Sequence, residues 1–496
     1  MKRPISTGNR NYKYWAFGAV AIGFFASVVD HGSVNIALPS IASHFDSNLT
    51  TVQWVVIGFA LTVSAFLLPM GRLSDLLGRK EIYIAGSFVT VVSAVLAGFS
   101  PHFSFLIVAR VLMGLGAAMS QGTGMAIVTA IFPPNERGKA IGLVMTTVGV
   151  GAVAGPAFGG FLVDAFGWRS VFFFSAPLGL IGILASLVIL EGRREEEVTQ
   201  TDSQGRFDWL GAILSTGALV TFLLTIIYAR QTGWTSPAIV AAGAGFFAMV
   251  GGFIWWEIRS PAPMLDLRLF RDKTFSFGVS AAFLTFLGSS SVLFITPFYL
   301  QKVAGYTPSQ AGFIVVPGAL CMAILGPLSG QLSDKFGWRK FTVGGLVFSV
   351  SGLLILSQLR EDSSLALVMP ALILLSCGMG TFYSPNTSSI LYTVARERYG
   401  VVVSFLNLIR NAANVSSVAL ATTIITSVMA SQAFEPSLAA VSCGVNPGIC
   451  AAFVDGMRTA FLVMMGLLVT AMAVSACQFQ ALSEDSRVTA VQADEP

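Results

Sequence analysis

The chain has 496 residues, 54% of them hydrophobic and only 11% charged, with a mean hydropathy of +0.75. Soluble globular domains carry roughly a quarter charged residues, so this composition excludes a water-soluble enzyme or binding module and points to repeated membrane helices. The formal net charge of +4 comes from basic residues scattered between apolar runs, which offers no patch for nucleic acid.

The first apolar run, 14–39, is longer than the roughly 7–15-residue core of a cleavable signal. It reads as an uncleaved first span, preceded by Lys2, Arg3, Arg10 and Lys13. Further runs follow at 52–71, 82–100, 103–130, 139–163, 170–190, 209–229 and 237–257. The second part of the chain adds 275–300, 309–332, 341–358, 366–392, 401–430 and 457–481. Each is about as long as the ~17–25 residues a helix needs to cross a bilayer, so the expectation is an all-α membrane protein of fourteen spans. An even number puts both termini on one side. Of the 29 Lys and Arg, 22 lie in segments on the side of the termini and five on the other, while Arg110 and Arg410 fall within spans. That bias places both termini in the cytoplasm, with the chain crossing the plasma membrane (a bacterial inner membrane) many times.

A repeat divides the chain. Gly71-Arg72-Leu73-Ser74-Asp75-Leu76-Leu77-Gly78-Arg79-Lys80 follows the second span, and Gly330-Gln331-Leu332-Ser333-Asp334-Lys335-Phe336-Gly337-Trp338-Arg339-Lys340 follows the tenth. Both copies lie on the cytoplasmic side, so the halves run in parallel, a known transporter plan. Residues 1–200 are expected to form an N-terminal six-helix bundle, 201–271 two inserted helices, and 272–496 a second bundle with a short disordered tail after Leu482.

Polar residues inside spans are the candidates for function. Asp30 in the first span is the most informative, because a carboxylate in hydrocarbon costs roughly 2.5–3.5 kcal/mol on insertion scales and marks a functional site by default. Asp30 and Arg110 lie about 9 and 7 residues from the outer ends of their spans; at ~1.5 Å per residue they share one level. They form either a proton-responsive couple or a fixed structural pair. His31 and Asn35 share a helix face; Gln121, Tyr383, Asn386, Asn407, Arg410 and Asn411 are further candidates for a substrate cavity. Gly155-Pro156 sits mid-span, where proline bends the helix and Gly151, Gly155, Gly159 and Gly160 permit close helix approach. Cys443 and Cys450 share the last external loop, where an oxidising exterior permits a bridge; spacing alone leaves the bridged and free forms open. The cysteines show no metal-ligand spacing. No phosphate-binding Gly-rich loop with a Lys-Ser/Thr pair occurs, which argues against ATP-driven transport and against an enzyme.

Taken together, the Gly71–Lys80 loop, Arg110-Val111-Leu112-Met113-Gly114-Leu115-Gly116, Gly151–Gly160, Asp30 with Val34-Asn35-Ile36-Ala37-Leu38-Pro39, and Tyr299-Leu300-Gln301 followed by Gly305-Tyr306 resemble the major facilitator superfamily. The closer likeness is to its fourteen-span drug:proton antiporter branch. The resemblance implies two six-helix bundles plus two inserted helices, alternating access, and export of small lipophilic or amphipathic compounds driven by the proton gradient, with no cofactor. It assigns proton coupling to Asp30 and Arg110. It makes Gly71, Asp75, Gly78, Arg79 and Lys80 a gating loop that steadies the outward-open state. The Gly151–Gly160 face is implied to close against a helix of the second half. Partners would be a small-molecule substrate, protons and membrane lipids, with the chain a monomer. His31 departs from the family pattern, and span ten lacks the extra carboxylate of members that take dications, which favours neutral, amphipathic or anionic substrates. A lipid, glycolipid or metabolite transporter of the same fold is the alternative, and a membrane sensor or scaffold the more distant one.

Overall fold

The computed structural model describes residues 12–132, 137–190, 208–232, 236–260, 267–394, 399–434 and 447–493. Fourteen helices of 19 residues or more account for nearly all of them. They are α1 (Tyr12–His44), α2 (Trp54–Leu77), α3 (Arg79–Gly98), α4 (Phe103–Ile131), α5 (Arg137–Phe166), α6 (Arg169–Ile189) and α7 (Trp209–Thr232). After these come α8 (Pro237–Arg259), α9 (Lys273–Phe298), α10 (Pro308–Phe336), α11 (Trp338–Leu356), α12 (Leu365–Tyr392), α13 (Tyr399–Ser431) and α14 (Pro447–Ala493). Among the described residues, twelve helices are long and apolar enough to cross a membrane. In α2 and α7 the apolar helix covers Trp54–Leu67 and Trp209–Phe222, and the sequence stays apolar beyond them, through Leu68-Pro69-Met70 and Leu223-Leu224.

Helix is the necessary state for such sequences, because a bilayer offers no partner for backbone N–H and C=O groups. Prolines lie inside α1, α2, α5, α6, α9, α10 and α12 without ending them, since neighbouring helices and local adjustment satisfy the freed carbonyls. Two helix starts in the second half, those of α9 and α10, carry side-chain caps. Asp272 accepts from Phe275 N at 3.0 Å, and Thr307 and Gln310 form a reciprocal capping box with Pro308 in the first turn of α10. Several boundaries differ from expectation: α2 reaches Leu77 and α10 Phe336, so Gly71–Leu77 and Gly330–Phe336, expected as loops, are helical and broken only at Gly78 and Gly337, and α14 begins at Pro447. Helix α1 continues past Pro39 to His44. Helix α14 runs to Ala493, where a disordered tail was expected; the reason is that no Gly or Pro interrupts residues 449–455 or the stretch from Leu467 to Ala493.

The two ends of α1 define two faces, a Tyr12 face and a His44 face. In the first half, α1 packs on α5 and α6, α2 on α4, and α3 on α4 and α6. In the second half, α9 packs on α13 and α14, α10 on α12, and α11 on α12 and α14. Adding eight to each helix number turns the first set into the second. The halves meet along two seams, α5 against α10 and α2 against α13, which the same shift interchanges. Helices α7 and α8 stand outside this scheme: they pack on each other, and α7 also touches α2 and α13, with Thr216 Oγ1 donating to the Ala65 carbonyl at 2.7 Å. Asp208 ties that hairpin together by accepting from Gly211 N at 2.8 Å and Trp256 Nε1 at 2.6 Å. At the His44 face one apolar core runs through both halves, joining Val34, Leu38 and Ile41 to Phe298, Leu300 and Ala311. Towards the Tyr12 face the core separates into a cluster around Tyr83, Phe132 and Val144 and another around Phe275, Ile390 and Phe405.

The sequence repeat is also a geometric one. Gly78 and Gly337 have φ of +107° and +88°, and their N–H groups close onto the carbonyls of Ser74 and Ser333 at 3.1 and 2.9 Å. The serine hydroxyls donate to Gly71 O at 2.6 Å and Gly330 O at 2.8 Å. A backbone with φ near +90° is open to glycine and resisted by other residues, which is why this spacing recurs where one helix must end and the next begin at once.

Candidate functional site

Asp30 and Arg110 meet in the middle of the first half. Arg110 Nη1 lies 2.8 Å from Asp30 Oδ2, with the two residues 0% and 3% exposed respectively. The two charges thus meet, although by the observed ends, His44 and Phe103, they lie 14 and 7 residues into their helices, so the residue count alone does not put them at one level. Four helices complete the site. Arg110 Nε donates to the Val55 carbonyl of α2 at 2.9 Å, Ser175 Oγ of α6 donates to Asp30 Oδ1 at 3.1 Å, and Met113 Sδ lies 3.6 Å from Nη1. The guanidinium lies over Phe59, 4.4 Å from the ring centroid, with Phe172 at 5.8 Å. Its Nη2 is buried without a hydrogen-bond partner. Neither charge is left alone, yet the shell is incomplete on the Arg110 side, so the pair is held chiefly by mutual attraction in a low-dielectric interior.

The pair sits one turn from the packing of α1 on α5. Ser33 Oγ donates to the Gly155 carbonyl at 2.8 Å. A Cβ on Gly155 would stand 3.1 Å from Gly32 Cα, one on Gly151 would stand 3.0 Å from Val28 Cβ, and one on Gly159 would run into Ser33. This corrects the expected role of the stripe: Gly151, Gly155 and Gly159 face α1 of their own half. The seam with α10 is made by the neighbouring stripe. A Cβ on Gly160 would lie 2.6 Å from Pro308 O, and one on Gly312 would run into the Pro156 carbonyl. Two stripes about a third of a turn apart let α5 touch both helices at backbone distance.

A model of the family described as "Major Facilitator Superfamily" matches residues 20–214 and 205–418. The chain belongs to the major facilitator superfamily. It is 32% identical over 392 residues to "Riboflavin transporter RibZ" of Clostridioides difficile, covering 79% of this chain and 84% of that one. It is 34% identical over 392 residues to "Multidrug resistance protein Stp" of Mycobacterium tuberculosis, covering 78% and 71%. It is 30% identical over 396 residues to "Tetracenomycin C resistance and export protein" of Streptomyces glaucescens, covering 80% and 73%. The fold is similar to that of a solved bacterial homologue of the human lysosomal transporter Spinster in an inward-facing, unoccupied conformation. That similarity has TM-score 0.67 and 19% identity, over 96% of this chain and 99% of that one. A membrane transporter of this superfamily, built of apolar helices, is therefore what the molecule is.

The remaining candidates of this superfamily member separate into those that share a region and those that do not. His31 is half-buried next to Asp30, within electrostatic reach of Asp30, Arg110 and Arg410. Asn35 is buried with its Oδ1 unpartnered, and Gln121 Nε2 donates to Ser27 Oγ of α1 at 3.0 Å. Asn407, Arg410 and Asn411 are all half-buried on α13, and Tyr383 is half-buried on α12 with its ring edge-on to Phe286. Asn386 was expected in the cavity and is not there: it is 1% exposed, with Nδ2 donating to Gly278 O of α9 at 3.1 Å, so it joins two helices. In the Gly71–Lys80 segment, Arg79 Nη1 donates to Ala126 O at 3.4 Å. Buried Lys80 donates to the Leu190 carbonyl just past the end of α6, where a cation complements the helix dipole. The side chain of Asp75 lies outside the described residues. Cys450 is disulfide-bonded, while Cys443, the partner considered for it, lies outside the described residues.

Ser175, Phe59, Phe172 and the Val55 carbonyl were not singled out from sequence. A serine in Phe-Phe-Phe-Ser-Ala-Pro, or two of 39 phenylalanines, carries no local mark of its partner.

Proposed function

We propose that the protein is a proton-coupled exporter of small lipophilic or amphipathic compounds, of the fourteen-span drug:proton antiporter type, working by alternating access. The single observation that carries this reading is the buried Asp30–Arg110 pair, one turn from the α1–α5–α10 packing that joins the halves. A proton arriving on Asp30 discharges the carboxylate, weakens its hold on Arg110 and alters the acceptor offered to Ser175. Because Gly32 and Ser33 follow directly on α1, a shift there reaches α5 and then α10 through backbone contacts that have no slack. Loss of the proton restores the ion pair. A membrane potential of 100 mV supplies ~2.3 kcal/mol per charge moved, enough for one entering proton to drive substantial efflux.

The reading includes residues 1–200 and 272–496 as the two moving bundles and 201–271 as an inserted hairpin in a monomer. All fourteen long helices would span a bacterial inner membrane, with the Tyr12 face in the cytoplasm, as the distribution of Lys and Arg favours. The segment holding Gly71, Asp75, Gly78, Arg79 and Lys80 would brace that face in the outward-open state. Export is favoured by relatives named for multidrug resistance and for tetracenomycin C export. A metabolite transporter is the second reading, favoured by the relative named for riboflavin.

The test uses everted membrane vesicles acidified by respiration and loaded with a pH-quenched dye. Substrate added to wild type dequenches the dye as protons leave the lumen, and Asp30→Asn abolishes that signal. Full coupled transport by Asp30→Asn would overturn the assignment.

A further inference from the structure

We propose that Arg410 anchors an anionic group on the transported compound, so that the preferred substrates are amphipathic organic anions: a carboxylate, phenolate or enolate carried on an apolar ring system. The proposal deepens the exporter reading and rests on it for the word substrate.

Arg410 lies 11 residues into α13, whose first residue is Tyr399, which puts it about 16 Å along the helix at ~1.5 Å per residue. It is half-buried, and it makes no hydrogen bond or ion pair with any described residue. Asp30, Arg110 and Arg410 are charged side chains within spans among the described residues; Arg458 lies as many residues into α14 but is 3.7 Å from Asp455 and donates to Ser357 O. Asp30 and Arg110 neutralise each other at 2.8 Å. The described acids of the second half, Asp272, Glu361, Asp362 and Asp455, all lie in loops or within about two turns of helix ends. The interior thus keeps one uncompensated positive charge, and an intramembrane charge of this kind faces a polar path or a ligand.

Two neighbours say where it stands. His31 of α1 is within electrostatic reach of Arg410 although the two belong to opposite halves, so the cation stands near the boundary between the halves. Ala413, one turn on and on the same side of α13, packs with Phe286 and Met379, and Phe283, Leu287 and Tyr383 lie against them. The Phe286 and Tyr383 rings meet edge-on with centroids 5.7 Å apart. One turn from the cation, α13 is packed into an aromatic and thioether cluster, chemistry suited to flat apolar rings. Asn414, the next polar residue on that side, is already engaged by Ser290. A guanidinium is always charged and presents a planar fork that takes a carboxylate through two bonds at once. The same field repels dications.

The test measures equilibrium binding to the full-length protein in phosphatidylcholine nanodiscs, by energy transfer from tryptophan to three anthracene probes. These share one ring system and carry a 9-carboxylate, a 9-methanol or a 9-methylammonium group. A charge-assisted pair predicts about tenfold or greater preference for carboxylate over alcohol in the wild type, with the ammonium weakest. Arg410→Gln is expected to erase that preference while leaving alcohol affinity unchanged, and Arg410→Lys to keep only part of it. Undiminished carboxylate preference in Arg410→Gln would overturn the proposal, as would ammonium binding as tight as carboxylate in wild type. If Arg410→Gln does not fold, Arg410→Lys decides, and a preference equal to wild type refutes the fork. In a second arm phosphatidylglycerol is added to the discs. Displacement of the carboxylate probe by that lipid, with Arg410-dependent lipid retention in native mass spectra, identifies a headgroup as the occupant and overturns the small-molecule assignment. None of these measurements uses a proton gradient, so loss of the probe preference leaves the coupling assigned to Asp30 standing, and failure of that coupling leaves the preference standing.

Discussion

The two halves share a packing scheme but place their buried polar contacts at different depths and build them from different chemistry. In the first, a full ion pair is sealed among α1, α2, α4 and α6. In the second, neutral groups join α9, α12 and α14 towards the Tyr12 face: Gln478 Nε2 of α14 donates to Thr274 O at 3.2 Å and Ser389 Oγ at 2.9 Å, and Asn386 reaches Gly278 O at 3.1 Å. Backbone geometry thus sets how the helices cross, while the polar contents can be exchanged. One half can answer to protons while the other keeps its polarity fixed and turns a lone cation towards the cargo.

The most severe way to break this contrast is Arg110→Ala. It strands Asp30 in the interior, and removing one partner of a buried pair costs about 3–5 kcal/mol; thermal unfolding in detergent should show a large loss, together with loss of transport. The second probe addresses how the charged half reaches its neighbour. Gly312→Ala forces a methyl against the Pro156 carbonyl, and overpacking of this kind costs about 1–3 kcal/mol. Transport should fall while each half stays folded, whereas Gly326→Ala, with open space around it, should behave like wild type. The mildest is Gln478→Leu in the neutral half. It removes two hydrogen bonds and should cost about 1–2 kcal/mol, without altering the pH profile of transport. A pH profile changed by Gln478→Leu as much as by Asp30→Asn would erase the proposed division of labour.

Much of this was legible in the chain because membrane helices advertise themselves by length and apolarity. Asp30 and Arg110 could be paired in advance because each is a charge within an apolar span and an opposite charge is the cheapest partner there, although the true end of α1 at His44 shows the depth count to have been off by five residues. The paired segments could be matched because Gly78 and Gly337 occupy backbone conformations that few other residues accept. What stayed hidden was direction around the helix axis. Gly151, Gly155 and Gly159 could have faced either neighbour, and only the packing of α5 shows that they serve α1 while Gly160 serves α10. Asn386 carried the same ambiguity, since an amide in an apolar helix satisfies the same physical demand with a helix partner as with a cavity. Ser175 gave no signal because its meaning lies wholly in a residue 145 positions away.

The hairpin of α7 and α8 has a consequence for hydrophobic cargo. Two seams separate the halves, and α7 leans on both members of one of them, α2 and α13, while no additional helix leans on α5 and α10. Viewed from the lipid, the molecule is lopsided. A compound dissolved in the bilayer meets a buttressed seam on one flank and, on the other, a seam closed only by the backbone-distance glycine contacts of α5 and α10, so any parting of the halves on that side has those contacts alone to break.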